Sequence, residues 1–368
     1  MSIYHGLYTA KRLFLYFTMM PAAIKEAAAY FLPDSHRNMD MRGYVRPPCL
    51  QRKGKYLVTA LVLMLLLSRC MGIKKQDGAR FLHNITAPQS VMLQVNTPAG
   101  LQQMDMEQYL LGVVAAEMPA AFAEDALAAQ AVAARTYALR KLLRGGCSRG
   151  GDVCTDAGHC QAWCSDADMR QLWDTSYDMY YGKIAAAVNK TAGQVLCYDG
   201  QVIEALFHSS SGGATEACAA VFSQNLPYLQ SVSSPEEVRT HTVTYTAAEV
   251  CKRLADAVGE TGLTPSSLAE GLYIAAYTPS GRVQTLQAGS KQLSGAQARA
   301  AFSLRSTDFT VSVAGDTVTF TAAGYGHGVG MSQYGAHALA QAGEDWQSIL
   351  AHYYPGTALQ SAAGVLRQ

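Results

Sequence analysis

One segment divides the chain before any element is assigned. In RKGKYLVTALVLMLLLSRCMGIKK, basic residues Arg52, Lys53 and Lys55 precede an apolar run from Tyr56 to Leu67, and Arg69 and Lys74 follow it. As a helix from Tyr56 to Ile73 it would span roughly 27 Å at ~1.5 Å per residue, enough for a bilayer if Arg69 snorkels to the interface. No A-x-A pattern follows the apolar core, as a cleaved leader would want, and Arg69 stands where a lipoprotein box ending at Cys70 would need a small residue. The expectation is a retained single-pass anchor over 56–73, with residues 1–55 cytoplasmic and everything after about residue 75 outside. The first forty residues have no clear period and precede a complete-looking start at Met41. The natural start is therefore expected at or near Met41, with a genuine cytoplasmic extension as the alternative.

Beyond this segment the composition matters. With 368 residues, 49% hydrophobic and 15% charged, the chain can bury a substantial core in two domains or in one large domain with an insertion. A formal charge of +1 supplies no basic face, so nucleic acid is not an expected partner. A polar tether, 74–88, leads to a strand candidate, VMLQVNT. Two helices should follow: MEQYLLGVVAAEMP, and the Ala-rich AEDALAAQAVAARTYALRKLL, in which Leu127, Ala131, Ala134 and Ala138 make a narrow stripe. Asp199-Gly200, between two β-branched runs, signals a hairpin. Residues 242–318 read as a helix, a hairpin turning at Ser280-Gly281 and a helix. The predicted fold is α+β in two lobes: 89–241 with 319–368, and a small insert at 242–318.

Tyr109, Val113 and Glu117 fall at i, i+4 and i+8, so the acid lies in line with residues that face the interior, and Pro119 prevents the helix from continuing. Either Glu117 snorkels to water from a frayed end, or it sits at the rim of an apolar surface. There desolvation would raise its pKa toward that of a general acid. Arg135 shares a face with Ala128, Ala131, Val132 and Leu139; it is a buried guanidinium facing a carboxylate or a ligand, or an exposed edge residue. Glu204, on the expected strand VIEALFH, is a second acid in apolar context.

CSRGGDVCTDAGHCQAWC places Cys147, Cys154, His159, Cys160 and Cys164 within eighteen residues. Such a cluster suits tetrahedral zinc. Disulfides are the alternative, although the seven cysteines beyond the 56–73 anchor cannot all pair with one another. Cys197, Cys218 and Cys251 read as small core residues. HSSSGG (208–213) and GYGHGVGMSQYG (324–335) offer hydroxyls, amides and rings suited to a sugar chain, or simply tight turns; neither is a nucleotide motif.

EQYLLGVVAAEMP, ALAAQAVAARTYAL, DVCTDAGHCQAW, TAGQVLCYDGQVIEALFHSSSGG and GYGHGVGMSQYGAHALA, in that order from about Val91 to Tyr354, resemble the stage II sporulation protein D family of endospore-forming Firmicutes. The resemblance implies a membrane-anchored lytic transglycosylase acting on peptidoglycan glycan strands during engulfment, at the mother-cell membrane around the forespore. It also implies partnership with a sporulation amidase and the membrane proteins of the engulfment complex. Glu117 would be the catalytic acid, and zinc would be held by Cys154, His159 and Cys160, with Cys147 as fourth ligand and Cys164 as its rival. The expected substrate-binding residues are Arg135, His208, Ser209, Ser210, His327, Ser332, Gln333 and Tyr334. The rival readings are a thiol peptidase using Cys160 and His327, and a non-catalytic enhancer of a cell-wall amidase.

Overall fold

Alternation of side chains builds the first strand, β1 (Met92–Thr97), which turns Leu93, Val95 and Thr97 inward. The computed structural model describes residues 91–222 and 224–367; the 56–73 run, the tether and the Met41 start lie outside them. β1 pairs antiparallel with β2 (Gly100–Asp105). Asp105 then caps helix α1 (Met106–Glu117), its carboxylate accepting from the N–H groups of Glu107 and Gln108.

The Ala-rich run forms α2 (Glu124–Leu143). Here the expected narrow stripe is corrected: every residue from Ala126 to Leu139 is buried, so the helix is enclosed around its whole circumference. Alanine makes this possible, because side chains that end at Cβ let several neighbours approach closely. Those neighbours are α1, α4 (Tyr177–Lys190) and β4 (Gln194–Tyr198), together with the two C-terminal helices α7 (Gln333–Gln341) and α8 (Trp346–Tyr353). Between α2 and α4 lie β3 (Val153–Cys154), which pairs parallel with β1, and α3 (Asp166–Trp173), whose capping box is made by Ser165 and Asp168.

β4 turns at Asp199-Gly200 into β5 (Gln201–Val202), both turn residues having positive φ, as the hairpin signal required. The expected strand through VIEALFH is not continuous: β5 ends at Val202, and β6 is only Phe207–His208. Ile203 and Ala205 are nevertheless buried.

The next stretch gives β7 (Thr240–Thr246), α5 (Ala247–Val258), β8 (Leu272–Tyr277), β9 (Val283–Ala288), β10 (Lys291–Ser294), α6 (Gly295–Ala301), β11 (Phe309–Ala314) and β12 (Thr317–Ala323). β8 and β9 are the hairpin expected at Ser280-Gly281, and β10 extends them into a three-stranded sheet. β11, β12 and β7 make another. The chain closes with β13 (Met331–Ser332), α7, α8 and β14 (Ala358–Ser361), which adds to the edge of β4. The fold is thus α+β.

Buried apolar residues fall into two clusters. One surrounds α2 and runs from Leu93 to Ala362. The other runs from Ala247 to Ala322, with Phe302 and Phe320 stacked 4.3 Å apart.

The expected single-pass membrane placement is corrected. Among the described residues no helix is long and apolar enough to cross a membrane, and the run on which the expectation rested is not one of them.

Candidate active site and metal centre

Glu117 is the last residue of α1, held there because Pro119 ends the helix. Its carboxylate accepts the Ala162 N–H at 2.6 Å. Gln333, at the first position of α7, approaches from the other side; its nearness lowers the carboxyl pKa, but its buried Nε2 makes no well-formed hydrogen bond. Burial outweighs both contacts, so the Glu117 carboxyl sits above its ordinary value. It opens into a cleft of about 660 Å³ shared with Tyr137, Gln161, His208, Ser209 and His327, and among the described residues no other acid lines that cleft.

The cysteine loop forms one wall. Cys147, Cys154, His159 and Cys160 present donor atoms that all lie within 4.8 Å of one another. His159 Nδ1 is 3.4 Å from each of the three sulfurs, and Cys160 Sγ is 3.8 Å from Cys147 Sγ. The four could hold a metal ion. All seven cysteines of the described residues are free thiols. Cys164 stands apart, its thiol 3.6 Å from the Gly112 carbonyl. The ring of His159 is fixed from outside by Ser148 Oγ, 3.0 Å from Nε2. Because His159 to Ala162 are themselves part of the cleft wall, the donor cluster and the N–H that holds Glu117 belong to one short segment.

The opposite wall comes from the two glycine-bearing loops, brought together although far apart in sequence. β6 runs parallel to β13, with His208 beside Ser332, and backbone bridges join Ser210 to Tyr325 and Glu216 to Val329. Gly330 permits the approach: a Cβ there would lie 2.0 Å from the Leu206 carbonyl oxygen. His208 is buried, and Nδ1 lies 3.2 Å from the Val329 carbonyl while Nε2 has no hydrogen-bond partner among the described residues. His327 Nδ1 accepts the Val329 N–H at 3.0 Å. Burial holds both rings neutral: His327 is pushed down to about 4 and His208 well below its usual value. The cleft thus presents one acid whose protonated form is favoured by burial, with the buried rings of His208 and His327 across from it.

Four expected substrate residues do not line the cleft. Arg135 is wholly buried and bidentate to Glu107, Nε to Oε1 at 2.8 Å and Nη2 to Oε2 at 2.5 Å, and it also donates to the Gln194 carbonyl. Of the alternatives for this guanidinium, the carboxylate is the partner present. Ser332 caps α7 and donates to Glu236. Tyr334 packs on Phe122 and beneath Arg239. Ser210 is buried at the Tyr325 bridge. Glu204 is paired with Arg140.

Sequence reasoning missed Glu236. This buried carboxylate accepts both the N–H and Oγ–H of Ser211 and the Oγ–H of Ser332, joining the two loops. Burial alone would raise its pKa, but these bonds and Ser234 bring it below the ordinary value. Nothing in SSPEEVR distinguishes it from a solvated loop acid. Tyr137 was also missed; it follows Arg135 by two positions, and its aromatic ring among alanines was the available signal.

Comparison with known proteins gives consistent matches. The family described as Stage II sporulation protein, SpoIID, matches residues 96–198, which carry Glu117 and the whole donor cluster. Stage II sporulation protein D of Bacillus subtilis (strain 168) is 37% identical over 294 residues, 77% of this chain and 82% of that protein. Its counterpart in Bacillus amyloliquefaciens is 33% identical over 331 residues, 84% of this chain and 92% of that protein. The amidase enhancer of Bacillus subtilis is 29% identical over 306 residues, 68% of this chain and 40% of that protein.

Proposed function

Because the chain belongs to the stage II sporulation protein D family, we propose that it acts on the cell wall during sporulation, as a lytic transglycosylase that cuts peptidoglycan glycan strands. The observation that carries this reading is that Glu117, raised in pKa by burial, is the one carboxylate among the residues lining the cleft. Glycosidases that use water need two carboxylates. A single acid suffices when the substrate supplies its own nucleophile. Protonated Glu117 gives its proton to the leaving glycosidic oxygen as the C1–O bond breaks. The resulting carboxylate then takes the proton of the N-acetylmuramic acid C6 hydroxyl, whose oxygen bonds to C1 and closes a 1,6-anhydro ring. The acid is thereby restored for the next cut.

The neutral rings of His208 and His327, with Ser209 and the Gln333 amide, suit hydroxyls and acetamides and place no charge against the strand. Ser210, Ser332 and Tyr334 support these loops from behind, and Arg135 supports α2.

The metal assigned to the donor cluster is zinc. Zinc bonds of about 2.3 Å to sulfur and about 2.0–2.1 Å to nitrogen place tetrahedral ligands about 3.8 Å apart for two sulfurs and about 3.5 Å for sulfur and nitrogen. The separations of 3.8 and 3.4 Å fit that figure. Cys147, Cys154, His159 and Cys160 would fill four positions, so the ion supplies rigidity and not an open site for substrate. Cys160, as a ligand, would have no role as a peptidase nucleophile.

The test is incubation of the protein, wild type and Glu117→Gln, with peptide-free glycan strands. Mass spectrometry should find 1,6-anhydro ends with the wild type alone; reducing ends from both proteins would overturn the reading. The amidase enhancer relative favours one alternative, a non-catalytic partner of an amidase. In that case Glu117→Gln would still stimulate the amidase fully, and neither protein would cut strands. In the preferred reading, a sporulation amidase supplies stripped strands for this enzyme to cut during engulfment.

A further inference from the structure

The β8–β9 hairpin belongs to the second apolar cluster, yet its tip reaches the loops that wall the cleft. Arg282, at the base of that tip, is 2% exposed. Its Nη2 donates to the carbonyls of Ser211 and Ala214 in the first loop, the latter at 3.2 Å. Its guanidinium also lies flat against Gly328 in the second: a Cβ at Gly328 would come within 2.7 Å of Cζ. The same tip makes a second attachment. Thr278 Oγ1 and Ser280 Oγ each donate at 2.6 Å to Oε2 of buried Glu216, whose N–H donates to the Gly328 carbonyl. No role for Arg282 is apparent from the sequence, and the proposed chemistry does not use it.

A fully buried arginine is expensive unless paired. Arg282 has Nε and Nη1 without hydrogen-bond partners among the described residues, and burial lowers its pKa against the opposing pull of Asp308, Glu216 and Glu236. A strut that only joined two sheets would not require a cation sunk between two loops. We propose that Arg282 is a positioning residue for the cleft: from the inserted hairpin it clamps the 208–214 loop to the 326–329 loop and so fixes the His208 and His327 rings against the substrate path. Its charge also disfavours protonation of both rings, alongside Arg299 at His327. Residues 242–318 thereby act on the reaction without touching the strand.

The inference rests on the cleft reading above, and its test has one arm that does not depend on activity. Arg282→Lys keeps a charge but loses the planar guanidinium packed on Gly328; Thr278→Val with Ser280→Ala keeps Arg282 and removes the Glu216 bonds. In each protein, verified as folded by circular dichroism, the imidazole 15N signals of His208 and His327 should move. KM for glycan strands should rise roughly tenfold with kcat changed less than about threefold. Folded variants of both kinds with wild-type imidazole signals would overturn the proposal, as would wild-type KM. If wild-type protein cuts no strands, the cleft chemistry fails while the imidazole signals still decide whether Arg282 positions the rings.

Discussion

In the proposed mechanism one carboxylic acid donates a proton in one step and accepts one in the next, and burial shifts Glu117 in the direction that role requires. The acid is functional as the protonated form, so strand cutting should decline as pH rises through that raised pKa. Glu117→Gln should lose roughly 10²–10⁴-fold in cutting rate, read by release of anhydro ends. The linkage has a definite sign: a folded pKa above the unfolded one gives stability that is present at low pH and lost as pH rises. The neutral amide avoids that loss, so the melting temperature of Glu117→Gln at neutral pH should equal or exceed that of wild type. Arg135 makes the opposite case. Replacing it with Met strands the buried Glu107 carboxylate and should cost about 3–5 kcal/mol by urea denaturation, while leaving KM of the surviving folded fraction unchanged. The i, i+4, i+8 spacing and Pro119 put Glu117 in line with the interior face of α1 but left it equally readable as a snorkelling end residue; only the family resemblance singled it out as the catalytic acid. The partner of Arg135 was not legible in the sequence, because Glu107 sits at the opposite end of α1, and only packing against α2 brings the two together.

Elements position what residues perform. The 147–164 segment has few apolar side chains of its own, and its donor cluster gives it a shape that presents Ala162 N–H to Glu117. Stripping metal with a chelator, or Cys154→Ser, should therefore reduce strand cutting and thermal stability together, with one metal equivalent lost by elemental analysis. The segment also needs a smooth seat. Gly112 of α1 lies under it, where an added Cβ would meet Trp163 Nε1 at 2.2 Å and the Cys164 carbonyl at 2.5 Å. Gly112→Ala should leave α1 helical and still displace the segment, lowering cutting by about tenfold with about 1–3 kcal/mol of destabilisation. Helices α1 and α2 and the hairpins at Asp199-Gly200 and Ser280-Gly281 were readable from periodicity and turn chemistry. β10 was not, being only four residues long; β11 and β12 went unread although Phe309, Val311 and Val313 alternate with Thr310 and Ser312, and Val318, Phe320 and Ala322 with Thr319 and Thr321.

At the scale of the whole molecule there are two apolar clusters, and no residue of the second lines the cleft. Hydrogen exchange followed by mass spectrometry should show two protection classes, one for α1, α2 and β4 and one for α5, β9 and β12; a single class would contradict this. The cleft itself joins segments distant in sequence, and no local pattern foretells that β6 will lie beside β13. Glu236 is the clearest instance. It stitches Ser211 to Ser332 only while ionised, so its contribution is kept above the ordinary carboxylate range and lost as pH falls through its lowered folded pKa. Two carboxyl groups, one in the cleft and one behind its loops, therefore make contrary demands on the medium. One loop pair should unlace in acid and the proposed chemistry should stall in alkali, leaving this protein a bounded titration window closed from both sides by burial acting on two carboxyl groups in opposite company.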